Sequence, residues 1–290
     1  MPELPEVETT VRGLQQKVLS RTFVGVWTDL EKFKKLKELK NKKIQKIWRR
    51  GKNIIFELSQ APLKVSGSKK KHQESKPLTG QGYSLLVHQK LTGHLLYEEW
   101  EKDRVNTYIH LKFFLDNGKI LALSDLRKFA KVELWKTEEL LNSKEFKSLG
   151  PEPLDRDFTF GKFKEVLKYK KGKIKQVLMN QKIIVGIGNI YSDEILWRAK
   201  IHPFKDISKL SGKELRDIYS NIKNVLKKAI ELGGESFSDY RDLTGQRGEF
   251  DKERRVYQRE GEKCPRCGTI IKRVKINGRS AHFCPNCQKI

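Results

Sequence analysis

The cysteines constrain this chain most. Cys264-x2-Cys267, sixteen intervening residues and Cys284-x2-Cys287 place all four cysteines of the 290 residues in one C-terminal segment. Two short loops of this kind each offer a pair of thiolates, and together they close a tetrahedron, the spacing of a four-cysteine zinc ribbon. A redox pair or an iron site is the competing reading. With all four thiolates spent, the site reads as structural rather than catalytic. The segment is too small for a core of its own, so one metal ion is its main folding energy. Between the cysteine pairs, Asn277-Gly278 is a strong two-residue hairpin signal. It puts Arg279 at the tip of a metal-pinned hairpin that also carries Lys272, Arg273 and Lys275. An exposed tip arginine is the plain reading, and a guanidinium offered to phosphates is the functional one.

Charge points the same way. The chain has 61 Lys and Arg against 36 Asp and Glu, a net +25. That excess suits a polyanionic partner, most simply nucleic acid, with a ribosome-associated or acidic-membrane-binding surface as the alternative. No run approaches the roughly 18 apolar residues of a membrane helix, and MPELPEVE has no apolar signal region. Four cysteines in this length do not make a disulfide scaffold, so a reducing cytosol is expected. The length suits about two domains.

Val7, Val11, Leu14 and Val18 make one apolar stripe, which predicts a helix over Glu3–Leu19 with Pro2 and three glutamates at its mouth. Short β-rich runs follow, from RTFVGVWTDL to AKVELWK, with Asp116-Asn117-Gly118 as a hairpin turn. They predict a β-sandwich with a helix packed on it. Glu31–Arg50 is dense in lysine and reads as a solvated connection, although KKIQKIWRR within it carries a strand pattern. Ala61–Gly82, rich in Lys, Ser, Gly and Pro, reads as a mobile loop. Leu149-Gly150-Pro151-Glu152-Pro153 marks a boundary, after which the period becomes helical until Gly233-Gly234. Glu235–Arg255 is polar and predicts a flexible loop. Gly186-Ile187-Gly188-Asn189 leads an apolar run into a helix, whose free N–H groups suit a phosphate, although this pattern alone is weak.

Taken together, MPELPEVETT, RRGKN, LGPEPL, GIGNIYSDE, the paired glycines and CPRCG…GRSAHFCPNCQ resemble the formamidopyrimidine-DNA glycosylase family, in order over nearly the whole chain. The resemblance implies an α+β fold. Its parts are a β-sandwich with a packed helix over 2–135, a linker over 136–158, a helix–two-turns–helix domain with a lesion-capping loop over 159–255, and a zinc finger over 256–290. It implies a monomer acting in the bacterial cytoplasm, at the nucleoid, on damaged double-stranded DNA and not on membranes. Its activity would be excision of oxidised purines followed by β,δ-elimination at the abasic site. The implied nucleophile is the Pro2 amine once Met1 is removed. An α-amino group titrates near about 7.7–8.0 against about 10.4 for Lys, so it is far more often deprotonated at neutral pH.

The same resemblance makes Glu3 the acid at the deoxyribose ring oxygen, Lys52 a phosphate contact active in elimination, and Arg279 a clamp on the flanking phosphates. It gives Glu6 a positioning task and makes Tyr108, Lys170 and Asn189 DNA contacts. Leu91, Arg127 and Phe129 would fill the hole left by the flipped base. Here Leu91 stands where the family has Met, and Lys90 where it has Gly. Leu91 and Phe129 as ordinary core residues are the plain alternative. Cys264, Cys267, Cys284 and Cys287 would hold one structural zinc. A Nei-like specificity for oxidised pyrimidines, or a noncatalytic zinc-containing nucleic-acid-binding protein, are the rival readings. A metal-dependent nuclease finds no convincing carboxylate cluster in the sequence.

Overall fold

The computed structural model describes residues 1–60, 82–98, 100, 103–236 and 239–290. Helix α1, Leu4–Val18, buries Val7, Val11, Leu14 and Val18, the predicted stripe. Pro5 lies in its first turn, where a missing N–H costs no intrahelical bond. Eight strands follow: β1 (Phe23–Thr28), β2 (Lys42–Arg50), β3 (Asn53–Gln60), β4 (Tyr83–His88), β5 (His94–Tyr97), β6 (Ile109–Leu115), β7 (Ile120–Ser124) and β8 (Lys131–Lys136). They form two antiparallel sheets of order β1-β6-β7-β5 and β2-β3-β4-β8. Phe23, Ile44, Phe56, Leu85, Leu111, Phe113 and Leu123 fill the space between the sheets, and α1 packs on β2. The predicted β-sandwich with a packed helix is therefore present. Gly118, at φ +77°, turns the β6–β7 hairpin as its sequence indicates.

The lysine-dense stretch is not a solvated connection. Glu31–Leu39 is a 3-10 helix that buries Phe33, Leu36 and Leu39 and turns its lysines outward. Apolar residues every third position line one face of a helix with three residues per turn. The charge run hid that period. The predicted 61–82 loop falls, except for Gly82, outside the described residues.

Helices α2 (Thr137–Asn142), α3 (Lys144–Lys147), α4 (Phe160–Leu167), α5 (Ile174–Met179), α6 (Asn189–Arg198) and α7 (Gly212–Glu231) follow. Phe158, Phe163, Tyr191, Ile195, Ile222 and Leu226 make a second core, and Leu4 of α1 belongs to it. Ser211 and Glu214 form a capping box at the start of α7. Gly233 and Gly234, at φ +73° and +85°, end it. The stretch 235–255 is not a free loop among its described residues. Tyr240, Arg241, Leu243 and Phe250 are buried, Leu243 in the sandwich core and Phe250 in the helical core. Its polar composition is used internally, since Arg241 pairs with Asp103 at 2.6 Å.

Strands β9 (Lys272–Ile276) and β10 (Arg279–Phe283) close the chain. Asn277 and Gly278 both have positive φ, and Arg279 pairs with Ile276, as a tight two-residue turn requires. No helix among the described residues is long and apolar enough to cross a membrane.

Glu152, in the predicted boundary, holds the two large parts together. Its carboxylate accepts from Arg49 at 2.5 Å, Arg50 at 3.3 Å and the Gly51 N–H at 2.6 Å, from the end of β2 and the turn after it. Removing one partner of a buried ion pair strands the other charges, so Glu152→Ala is expected to lower stability by about 3 kcal/mol in urea unfolding. An unchanged midpoint would show that this joint carries no stability.

Candidate active site and nucleic-acid interface

The candidate site lies where α1 meets the mouth of α6. Pro2 is buried, and Glu3, the N-cap of α1, is only 2% exposed. Both Glu3 oxygens accept from the other domain: Gly188 N–H at 2.6 Å and Ile190 N–H at 2.9 Å. The expectation that this helix start offers free N–H groups to a phosphate is thus corrected, because a carboxylate of the chain itself takes two of them. The positive end of α6 suits that anion as it would suit a phosphate. The glycines make the approach possible. A Cβ on Gly188 would lie 2.4 Å from the Glu3 carboxyl carbon and 2.7 Å from Lys52 Nζ, and one on Gly186 would lie 2.6 Å from Leu4 Cβ. Gln181 fastens this loop by accepting from Gly186 N–H and donating to the Ile187 carbonyl.

Lys52 enters from the β2–β3 turn and is nearly buried. Burial lowers its pKa; Glu3 and Glu6 pull it up, and Arg279 lowers it further. Lys52, Glu3, Glu6 and Arg279 therefore feel one another. Glu6, one turn along α1, is buried and accepts from Glu3 N–H at 2.6 Å, Glu235 N–H at 2.8 Å and the Tyr191 hydroxyl. Burial raises its pKa, and the charge on Glu3 adds to the effect. Arg279 is exposed at the start of β10, and Asn189 donates to Ser280 Oγ in the same strand at 3.3 Å. The hairpin is docked by Asp193, which accepts from His282 N–H at 2.9 Å and pairs with the fully buried Lys175 at 2.5 Å.

Leu91 and Phe129 are not core residues. Leu91 is half-buried in the β4–β5 turn, and Phe129 is 53% exposed in the β7–β8 connection. Arg127 is exposed, with its guanidinium carbon 5.0 Å from the Phe129 ring centre. Tyr108 is half-buried, and its carbonyl accepts from Asp125 N–H beneath that connection. Lys170 is exposed past the end of α4, beside Lys182, and makes no hydrogen bond or ion pair with Glu3, Glu6 or Lys52 among the described residues. Sequence reasoning passed over Glu152, Gln181, Tyr191, Asp193 and Asp125. Each is an acid, amide or phenol next to a recognised motif, but only the fold reveals what it grips.

The sulfurs of Cys264, Cys267, Cys284 and Cys287 all lie within 4.8 Å of one another. Zn–S bonds of about 2.3 Å need sulfurs roughly 3.8 Å apart, so the thiolates fit the ion. They hold one structural zinc, backed by Trp197, Val256 and Ile271.

Three family models cover most of the chain: the formamidopyrimidine-DNA glycosylase N-terminal domain over 1–132, the H2TH domain of the same glycosylase over 149–241, and the zinc finger found in FPG and IleRS over 261–290. Formamidopyrimidine-DNA glycosylases of Pelotomaculum thermopropionicum and Prochlorococcus marinus are 38% and 39% identical, with full coverage of both chains. A Lactococcus lactis Fpg solved with DNA containing an abasic site is 35% identical at a TM-score of 0.83, covering 99% of this chain and all of that one. A MutM solved with DNA containing carbocyclic 8-oxo-G is 34% identical at 0.83, with full coverage of both chains. Sandwich, H2TH domain and zinc finger together define a DNA-repair glycosylase. The chain belongs to the formamidopyrimidine-DNA glycosylase family.

His88, at the end of β4, lines a cavity of about 200 Å³ with Lys52, Lys90 and Lys131. Burial, with Lys90 and Lys52 nearby, pushes its pKa down to about 3, and its Nδ1 accepts from Lys90 N–H at 3.0 Å. The unfolded chain therefore takes up a proton near pH 6.5 that the folded chain refuses. This contribution to stability is present above pH 6.5 and lost as pH falls toward 3. Between pH 7 and 5 the loss is about 2 kcal/mol. His88→Gln should flatten the acid side of the stability–pH curve by that amount; an unchanged slope would mean that His88 ionises in the folded protein.

Proposed function

We propose that this chain excises oxidised purines, 8-oxoguanine and formamidopyrimidines, from duplex DNA and then cleaves the abasic site, acting as a monomer. The observation that carries this reading is the buried group of Glu3, Glu6 and Lys52 beside residue 2, with Arg279 facing it from the zinc hairpin. With Met1 removed, the Pro2 amine attacks C1′ and the damaged base leaves. The resulting secondary-amine iminium is cationic at any pH and acts as the electron sink. Loss of a C2′ proton expels the 3′ phosphate, and a second elimination expels the 5′ phosphate. Glu3, oriented by its two N–H bonds, takes up the proton that the attacking amine loses and delivers it to the ring oxygen as the sugar opens. Lys52 and Arg279 hold the phosphates around the lesion, and Arg279 assists the second elimination. Asn189, Tyr108 and Lys170 contact the DNA backbone.

Exposed Arg127 and Phe129, with half-buried Leu91 in the adjoining turn, act as a wedge for the emptied stack, with Arg127 toward the opposite base. The segment beginning at Glu235 closes over the flipped base. The lesion chemistry follows relatives solved with 8-oxo-G and Fapy-dG DNA. Support for the reading comes from membership of the family and from the burial of Glu3, Glu6 and Lys52 in one corner.

Borohydride added during incubation with 8-oxoguanine duplex should trap a covalent protein–DNA adduct carried on the peptide that starts at Pro2. The thymine-glycol duplex should trap at least about tenfold less, since a site shaped to hydrogen-bond one base rejects another by more than a factor of ten. Equal trapping on both would favour the pyrimidine reading, and no adduct with either would end the glycosylase–lyase reading.

A further inference from the structure

The two turns that carry Leu91, Arg127 and Phe129 run side by side. Residues 89–93 cross from β4 in one sheet to β5 in the other, and residues 125–130 cross back from β7 to β8. The flanking pairs His88–Lys131 and His94–Ser124 keep them adjacent. Each turn contains a non-glycine residue in the left-handed region, Lys90 at φ +55° and Lys128 at φ +57°. Such backbone persists only where its surroundings over-determine it.

Three side chains do so here. Asp125, 2% exposed, accepts from the Thr92 hydroxyl with one oxygen and from Ala130 N–H at 2.7 Å with the other. Thr92 Oγ1 in turn accepts from Arg127 N–H at 3.1 Å. A hydroxyl that donates to one turn's carboxylate and accepts from that turn's backbone ties the two turns together. From outside, Lys32 of the 3-10 helix reaches across and donates to the carbonyls of Lys128 at 2.6 Å and Ala130 at 2.9 Å. These are the carbonyls on either side of Phe129. Its ammonium is thereby committed to the protein backbone, although it lies in a lysine-dense run whose composition reads as a solvated connection.

We propose that Lys32, Thr92 and Asp125 are positioning residues that lock both turns into one rigid wedge, so that they set the rate of base extrusion but not of chemistry on the extruded sugar. This rests on the reading of Leu91, Arg127 and Phe129 as stack-filling residues. Pushing a base out of a stack costs a few kcal/mol, which a wedge free to fold back recovers less well.

The test compares single-turnover excision from 8-oxoguanine duplex with nicking of a duplex that already contains an abasic site and has no base to extrude. Loss of charge-assisted hydrogen bonds predicts that Lys32→Gln is slowed about tenfold on the lesion duplex and less than about twofold on the abasic one. Lys32→Arg should recover most of the rate. Lys34→Gln, which removes an exposed lysine of the same helix whose ion pair among the described residues is with Glu31, should stay within about twofold on both substrates. Thr92→Val should show the same split as Lys32→Gln, with melting checked in parallel. An equal slowing of Lys32→Gln on both substrates, or none on either, overturns the proposal. If Phe129→Ala excises the lesion at the normal rate, the wedge reading falls and the proposal with it. An impaired Phe129→Ala beside an unimpaired Lys32→Gln sinks the proposal alone.

Discussion

The Glu3 carboxylate at the mouth of α6 is the contact on which the arrangement depends. It joins the N-cap of α1, at the start of the sandwich domain, to the first turn of a helix in the other domain. Two buried backbone donors that would otherwise need water or a ligand are satisfied by one anion, and leaving them unmade would cost about 1–3 kcal/mol each. The bond also dictates composition. Only glycine admits the Glu3 carboxyl and Lys52 Nζ at position 188, and only glycine leaves room for Leu4 at position 186. The GIGN pattern is thus a seat for the chain's own N-terminus, and residue 2 is delivered to the same place on every molecule that folds.

From that seat the remaining contacts radiate. Glu6 gathers the start of α1, Tyr191 of α6 and the Gly234–Glu235 corner that follows α7. Glu152 fixes the β2–β3 turn that presents Lys52. Asp193 brings the zinc hairpin, and with it Arg279, onto the side of α6. Helix α6 therefore receives the N-terminus at its first turn and the zinc finger on its flank. That explains why seven of the ten residues of this helix are buried although its sequence is not strongly apolar.

Much of this was legible in the sequence where one physical rule acts locally. The α1 stripe, the strand runs, the Asn277-Gly278 turn and the cysteine spacing each follow from geometry within a few residues. What failed to show was of two kinds. Charge density masked a three-residue apolar period in Phe33, Leu36 and Leu39. Polar composition concealed the packing of 239–250, whose Arg241 and Leu243 find partners more than a hundred residues away. The catalytic assignments came from family resemblance, because a glutamate at a helix start or one lysine among many carries no signal alone. The fold adds that Glu3, Glu6 and Lys52 share one buried corner. It also corrects the task of the α6 mouth, which long-range contact alone determines.

Amide hydrogen exchange at Gly188 and Ile190 tests the Glu3 seat most directly. In the wild type both amides should exchange as slowly as the neighbouring core of α6. In Glu3→Ala they should become fast while α7 and the sandwich strands keep their protection, and trapping at Pro2 should fall with them. Protection at Gly188 and Ile190 that survives the loss of Glu3 would contradict the account.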